Sequence, residues 1–280
     1  MLRVSGATDP FLDVSCPSAA IGSVCSSRWL LSVSKRMDPQ QNALLAALPP
    51  KVLERWLPFL EPVDLSLGTV LSAPGATMDH VYFPVSAVVS LVYEMESGQE
   101  AEVAVVGFDG LIGISTFMGG ESTSSSTFVK CTGQAFRLSS QRFKKELVHM
   151  PVMHLLLRFT QALITQITQT AACNRHHTLH QQLCRSLLLS LDRLRGNELV
   201  LTHELIANML GVRREGVSEA ASALQISRII IYARGRIRVL DRIALEDRSC
   251  ECYAVVKKEY DRLLPCKPDS VVMGHALAAF

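Results

Sequence analysis

The chain has 280 residues, a net charge of +2, 48% hydrophobic and 19% charged residues. That is room for one large domain or two small ones with a real core, and the composition excludes a disordered or fibrous chain. No run nears the roughly 18 uninterrupted apolar residues of a membrane span. Eight cysteines without regular pairing fall short of a disulfide scaffold, so a cytoplasmic protein with reduced thiols is expected.

Residues 1–36 lack periodicity, and Pro17, Gly22 and several serines interrupt their apolar stretch, unlike a secretory signal. They read as a disordered leader or a mis-assigned start ahead of Met37. From Asn42 to Leu60 the spacing turns helical, with a break at Pro49-Pro50. From Val63 to Leu138 short β runs follow one another: Leu65 to Leu71, Val81 to Phe83, Val88 to Tyr93, Ala101 to Val106, Phe128-Val129 and Ala135 to Leu138. Strands this short, with Gly and Pro between them, predict an antiparallel sandwich or barrel.

Helical spacing returns at Gln141 to Val148 and again from Val152 to about Thr170. In the second run Val152, Leu156, Phe159, Leu163, Gln166 and Thr170 fall at four- and three-residue steps. The stripe fits a helix pairing with its twin in a homodimer, and equally a helix lying on its own domain. A further amphipathic stretch runs from Leu179 to Leu194.

The strongest signal lies between Thr202 and Leu224. Thr202 can cap a first helix that buries Leu205, Ile206, Met209 and Leu210. Small Ala207, Gly211 at the turn, and apolar Val212, Val217 and Ala220 complete the spacing of a helix-turn-helix. Residues 207–240 carry six arginines against two glutamates, whereas residues 37–150 carry 7 Lys/Arg against 12 Asp/Glu. One end of the chain is thus suited to a polyanion. Arg213, Arg214 and Glu215 open the second helix, with Ser218 and Glu219 one turn later. Arg suits guanine O6 and N7, and Glu suits cytosine N4. Ile229 to Tyr232 and Ile237 to Leu240 bracket Ala233-Arg234-Gly235-Arg236, a β-hairpin wing whose Arg234 and Arg236 could hold phosphates.

The order of β-barrel, long helix and winged helix resembles the Crp/Fnr transcription regulators over roughly residues 44–245. The likeness is most specific at Val81-Tyr82-Phe83-Pro84, Val105-Val106-Gly107-Phe108-Asp109-Gly110 and Ala207 to Glu215. It implies an α+β fold: an N-terminal antiparallel jelly roll of cyclic-nucleotide-binding type (37–150), a dimerisation helix (151–177) and a C-terminal winged helix-turn-helix (178–250), with a C-terminal extension (251–280). It also implies a homodimer on a two-fold symmetric site in double-stranded DNA. Base-reading residues of the family match Arg214 and Glu215; a later base-reading Arg of the cyclic-AMP-responsive members matches Glu219, a departure that implies a different operator.

Cyclic-AMP members hold the nucleotide with a Glu and an Arg. Here the Arg position falls on Ser125 and the Glu position near Leu111, so the cyclic phosphate lacks a counter-charge. The residues available to another small effector are Gly110, Leu111, Gly113, Ser125, Ser126 and Thr127. No cofactor or metal is assigned. Cys16 and Cys25 do not form the close cluster of an iron–sulfur sensor, and Cys250-Glu251-Cys252 is a poor zinc spacing; Cys173, His176, His177, His180 and Cys184 cluster near a helix junction where they could bind metal, though such residues are more often surface or satisfied core groups. No G-x-S-x-G, Walker or metal-barrel signature supports an enzyme. The alternatives are an interaction module whose winged helix contacts protein, and a constitutive DNA-binding dimer with a ligand-free barrel.

Overall fold

The computed structural model describes residues 37–194 and 196–264, so the leader reading of residues 1–36 lies outside it. Asn42 starts the first α-helix. Its Oδ1 accepts from the Leu44 and Leu45 amides and caps helix α1 (Ala43–Ala46), while its Nδ2 donates to Pro84 and Gly110 carbonyls, each at 2.9 Å. One buried amide thus starts a helix and anchors it to two barrel loops. Helix α2 (Pro50–Trp56) restarts after the proline pair and sets Trp56 against Phe83 and Phe143, ring centroids 5.9 and 5.8 Å away.

Seven strands follow: β1 (Glu61–Leu65), β2 (Val70–Ser72), β3 (His80–Pro84), β4 (Val88–Glu94), β5 (Glu100–Val106), β6 (Ser126–Cys131) and β7 (Gly133–Ser139). They form two antiparallel sheets, β1-β7-β3 and β2-β6-β4-β5. Between them Val81, Phe83, Val89, Val106, Val129, Ala135 and Leu138 are buried in one core. Gly133 permits the crossing from β6 to β7, because a Cβ there would sit 2.3 Å from the Ala87 amide. Short α3 (Ser115–Met118), which sequence spacing did not indicate, and α4 (Ser140–Glu146) flank the sheets.

Helix α5 (Met150–His176) runs from the barrel to the second domain and is continued by α6 (Leu179–Leu191). The stripe expected from sequence, Val152, Leu156, Phe159, Leu163, Gln166 and Thr170, is buried within the chain itself. Gln166 donates to the Val105 carbonyl of β5 at 3.0 Å, and Phe159 packs on Gly110, where an added Cβ would lie 2.4 Å from its ring. Of the two readings, the helix lying on its own domain accounts for this face. A different stripe is exposed at the same three- and four-residue steps: His154, Leu157, Gln161, Ile164, Thr168, Ala171 and Arg175.

The second domain comprises α6, β8 (Glu198–Val200), α7 (His203–Leu210), α8 (Arg214–Ile226), β9 (Ile230–Ala233), β10 (Arg236–Val239), α9 (Arg242–Asp247) and α10 (Glu251–Leu263). Residues 251–263, expected only as an extension, form a helix that packs back along α5 and buries Tyr253, Val256, Tyr260 and Leu263. A buried ion pair fastens this domain to the barrel. Asp109 Oδ2 meets Arg193 Nη2 at 3.1 Å, and Asp109 Oδ1 accepts from the Gly107 amide. The Arg193 guanidinium also lies 4.9 Å over the Tyr260 ring of α10. Burial works against the Arg193 charge, but the Asp109, Tyr260 and Asp192 oxygens outweigh it and raise its pKa. Gly107 is required for this approach, since a Cβ would fall 2.5 Å from Arg193 Cβ.

Candidate nucleic-acid interface

Helix α7 begins where Thr202 Oγ1 accepts from the Leu205 amide and ends at Gly211, whose φ of 65° is left-handed. That turn lets the Val212 amide reach the Ala207 carbonyl at 3.0 Å. Ile206, Leu210, Val217, Ala220, Ala221 and Leu224 are buried between α7, α8 and the rest of the domain. The helix-turn-helix therefore closes with the residues its spacing marked out.

Arg213 occupies the N-cap position of α8 without a side-chain cap, and Arg214 and Glu215 form its first turn; all three are exposed, as is Glu219. Ser218, expected beside them, is instead half-buried, its hydroxyl 2.9 Å from His203 Nδ1. His203 stacks on Tyr232 of the wing at 4.0 Å between centroids. Ser218 thus ties the recognition helix to α7 and the wing. Burial first, and then the Arg214 charge, hold the His203 pKa below its ordinary value.

The wing is a two-residue hairpin. Arg236 pairs with Ala233 across a turn at Arg234-Gly235, both with positive φ (50° and 73°), the geometry that matches strand twist. The strands lie one residue from the expected bounds because the turn needs only two residues. Arg234 is at the tip and exposed. Arg236 lies on β10, where its Nη1 meets Glu198 Oε1 of β8 at 2.7 Å. Strand β8, unnoticed in sequence because it is three residues long, supplies that carboxylate and completes a sheet of order β8-β10-β9.

The residues assigned to an effector serve two ends. Gly110 is pressed under Phe159, Leu111 is in the core, and Gly113, with φ 105°, lies 3.1 Å in Cβ terms from Val81. All three are occupied by packing. Ser125 shares its hydroxyl with Thr123 Oγ1 at 3.1 Å, and Ser126 pairs with Val92 at the start of β6. Thr127 Oγ1 is buried without a hydrogen-bond partner among the described residues. Nearby, buried Lys130 is neutralised by Glu102 at 3.0 Å, and the Ser90 hydroxyl donates to the same carboxylate.

Comparison with known proteins matches both halves. The family model for the cyclic nucleotide-binding domain takes in residues 62–149, and that for the Crp-like helix-turn-helix domain takes in residues 181–248. The global nitrogen regulator of Synechococcus elongatus is 26% identical over 194 residues, covering 65% of this chain and 86% of that protein. Among solved structures, a CRP-family transcriptional regulator from Thermus thermophilus superposes with a TM-score of 0.57 at 18% identity, covering 67% of this chain and 96% of the other. FixK2 from Bradyrhizobium japonicum gives 0.58 at 17% identity, with 68% and 98% covered. At such identities the structures show the fold, while the two family models together span more than half of the sequence. With its jelly roll, long helix and winged helix-turn-helix in this order, the chain belongs to the Crp/Fnr family, whose members are DNA-binding transcription regulators and not enzymes.

Proposed function

We propose that this regulator acts in the cytoplasm as a homodimer on a two-fold symmetric operator. Arg213, Arg214, Glu215 and Glu219 read base edges in the major groove, and Arg234 holds a phosphate from the wing. The observation that carries the reading is the free, exposed Arg213-Arg214-Glu215 group at the start of a helix whose opposite face is fully packed. Arg236 already has a carboxylate partner, so its share of phosphate binding is smaller. For the homodimer, the support is the exposed α5 stripe centred on Leu157 and Ile164, 51% and 55% exposed.

An effector in the barrel would shift operator affinity by favouring one arrangement of the domains. Cyclic AMP is a poor fit: the Arg position is Ser125, and Lys130, the buried cation of the β6 strand that follows it, is already paired with Glu102. Thr127 Oγ1 is the polar atom such an effector would find unpaired.

The test is selection of random duplex DNA by the purified chain. A symmetric site with half-sites about one helical turn apart is expected. On that site Arg214→Ala should cost about 1–3 kcal/mol and relax preference at one base pair per half-site. Arg234→Ala should weaken all sequences alike and lower the salt slope by about one per subunit. No enriched site, or an Arg214→Ala protein that binds as tightly and selectively as wild type, refutes the assignment.

A further inference from the structure

Four potential metal donors converge where α5 ends and α10 begins. Cys173 and His177 stand one turn apart at the end of α5, and Cys250 and Cys252 open α10. One donor atom from each lies within 4.8 Å of every other. Cys173 Sγ is 3.5 Å from Cys250 Sγ, and Cys252 Sγ is 3.6 Å from His177 Nδ1. A tetrahedral ion with Zn–S of about 2.3 Å and Zn–N of about 2.0 Å has ligand–ligand edges of roughly 3.5–3.8 Å. We propose that Cys173, His177, Cys250 and Cys252 bind a single zinc ion.

The surroundings are those of a zinc site. The three cysteines are buried, at 0%, 5% and 2% exposure, and stand apart from the main apolar core. His177 turns Nδ1 toward the sulfurs while its Nε2 lies 3.3 Å from the Glu251 carboxylate. A carboxylate on the outer nitrogen fixes the ring of a metal-bound histidine and makes it more basic. Gln182 Nε2 donates to the carbonyls of Cys173 and His177, fixing the backbone that carries two of the ligands. The Cys-x-Cys spacing works because Cys250 is the extended N-cap residue (φ −98°, ψ 166°) and Cys252 already lies in the helix. The change of conformation between them turns both sulfurs to one side.

Charge balance points the same way. Arg185 is 4% exposed and lies beside Cys173. Its Nη1 donates to Thr170 Oγ1, its Nε has no hydrogen-bond partner, and among the described residues no carboxylate pairs with it. Three thiolates and one Zn²⁺ leave a net charge of −1, which is the missing counter-charge. The thiolates of Cys250 and Cys252 also sit at the positive end of a 13-residue helix. A groove that opens beside Cys250 is lined by four carboxylates, Glu246, Asp247, Glu251 and Asp261, against two lysines, Lys257 and Lys258. A mononuclear ion suits this span, whereas an iron–sulfur cluster places its ligands farther apart.

The zinc ion therefore clamps α10 to the junction of α5 and α6, and the site does not depend on how the protein reads DNA. The experiment is metal analysis of the full chain expressed with zinc and purified under reducing conditions without chelator. About one zinc per chain is expected, falling to background in Cys252→Ser and His177→Ala and retained in His177→Cys. Cys131→Ala and Cys184→Ser should keep the metal, since neither belongs to the four-donor group. Because a ligand variant can misfold, the metal-stripped wild-type chain is also titrated with Co²⁺ without oxygen. Thiolate-to-cobalt charge-transfer bands with intense tetrahedral d–d bands, bleached by Zn²⁺, are expected. A chain free of metal that gives no cobalt bands overturns the proposal, as does iron in place of zinc. A Cys173–Cys250 disulfide in the freshly purified, metal-free wild type overturns it as well.

Discussion

Replacing Asp109 with asparagine tests whether the barrel and the DNA-binding domain are joined by one buried charge. The substitution keeps the shape and one acceptor for the Gly107 amide, but it leaves the Arg193 guanidinium, 2% exposed, without its carboxylate. The Tyr260 ring, the Leu189 carbonyl and the charge of Asp192, which is itself paired with Arg242, remain nearby, too little to neutralise a cation away from water. Breaking such a pair from one side costs about 3–5 kcal/mol. With an m-value near 3 kcal/mol/M, that is roughly 1–2 M in the urea midpoint. Urea unfolding of the full chain, followed by circular dichroism, reads it directly. The double variant Asp109→Asn/Arg193→Met should recover much of the loss, because no unpaired charge remains. A single variant that loses under 1 kcal/mol, or a double variant whose loss equals the sum of the singles, refutes the view of Asp109 as the counter-charge.

Gly110→Ala drives a methyl group to 2.4 Å from Phe159 Cε2 and 2.7 Å from Val106 Cγ1; it should cost about 1–3 kcal/mol, seen as a lower Tm, and an unchanged Tm contradicts the packing. The lowered pKa of His203 means that the unfolded chain takes up a proton more readily than the folded one. Its stability contribution is therefore fully present above the ordinary value of about 6.5 and is lost as pH falls below it toward the folded value. His203→Gln should flatten the fall in stability between pH 7 and 5; His180, lowered by burial and then by Arg248, acts in the same direction and remains in that variant. Leu157→Glu with Ile164→Glu should turn a dimer into a monomer by light scattering while leaving the far-UV circular dichroism of the folded chain unchanged, since both side chains are exposed in the single chain; Tm should fall only by the stability linked to association.

The parts of the fold that follow local rules were legible. Thr202 and Gly211 bound a helix by capping and a left-handed turn, and β4 and β5 stand out as short apolar runs, Val88 to Tyr93 and Ala101 to Val106, on either side of a turn at Ser97-Gly98. Helix α5 was half legible: two of its faces carry the same three- and four-residue spacing, and only packing decides that Val152 to Thr170 meets the barrel while Leu157 and Ile164 do not. Tyr253, Val256, Tyr260 and Leu263 repeat at helical steps, yet the segment lay beyond the wing and was read as an extension. Contacts between distant residues left no local trace. Nothing near Asp109 announces Arg193, and Cys173 lies 77 residues from Cys250. The bond from Ser218 to His203 was invisible for a related reason, because the two lie on different helices.

Helix α10 is the last described element, yet it covers a face of α5 and stacks Tyr260 on the arginine that fastens the barrel. During synthesis the jelly roll and α5 leave the ribosome long before α10 exists. The apolar strip of α5 that α10 covers must stay wet, or be shielded by a chaperone, until about ninety more residues have been added. A nascent chain halted after the wing would carry a finished DNA-reading head on an uncovered stem. Emergence of α10, and not of either domain alone, is then the moment at which the regulator becomes a stable particle.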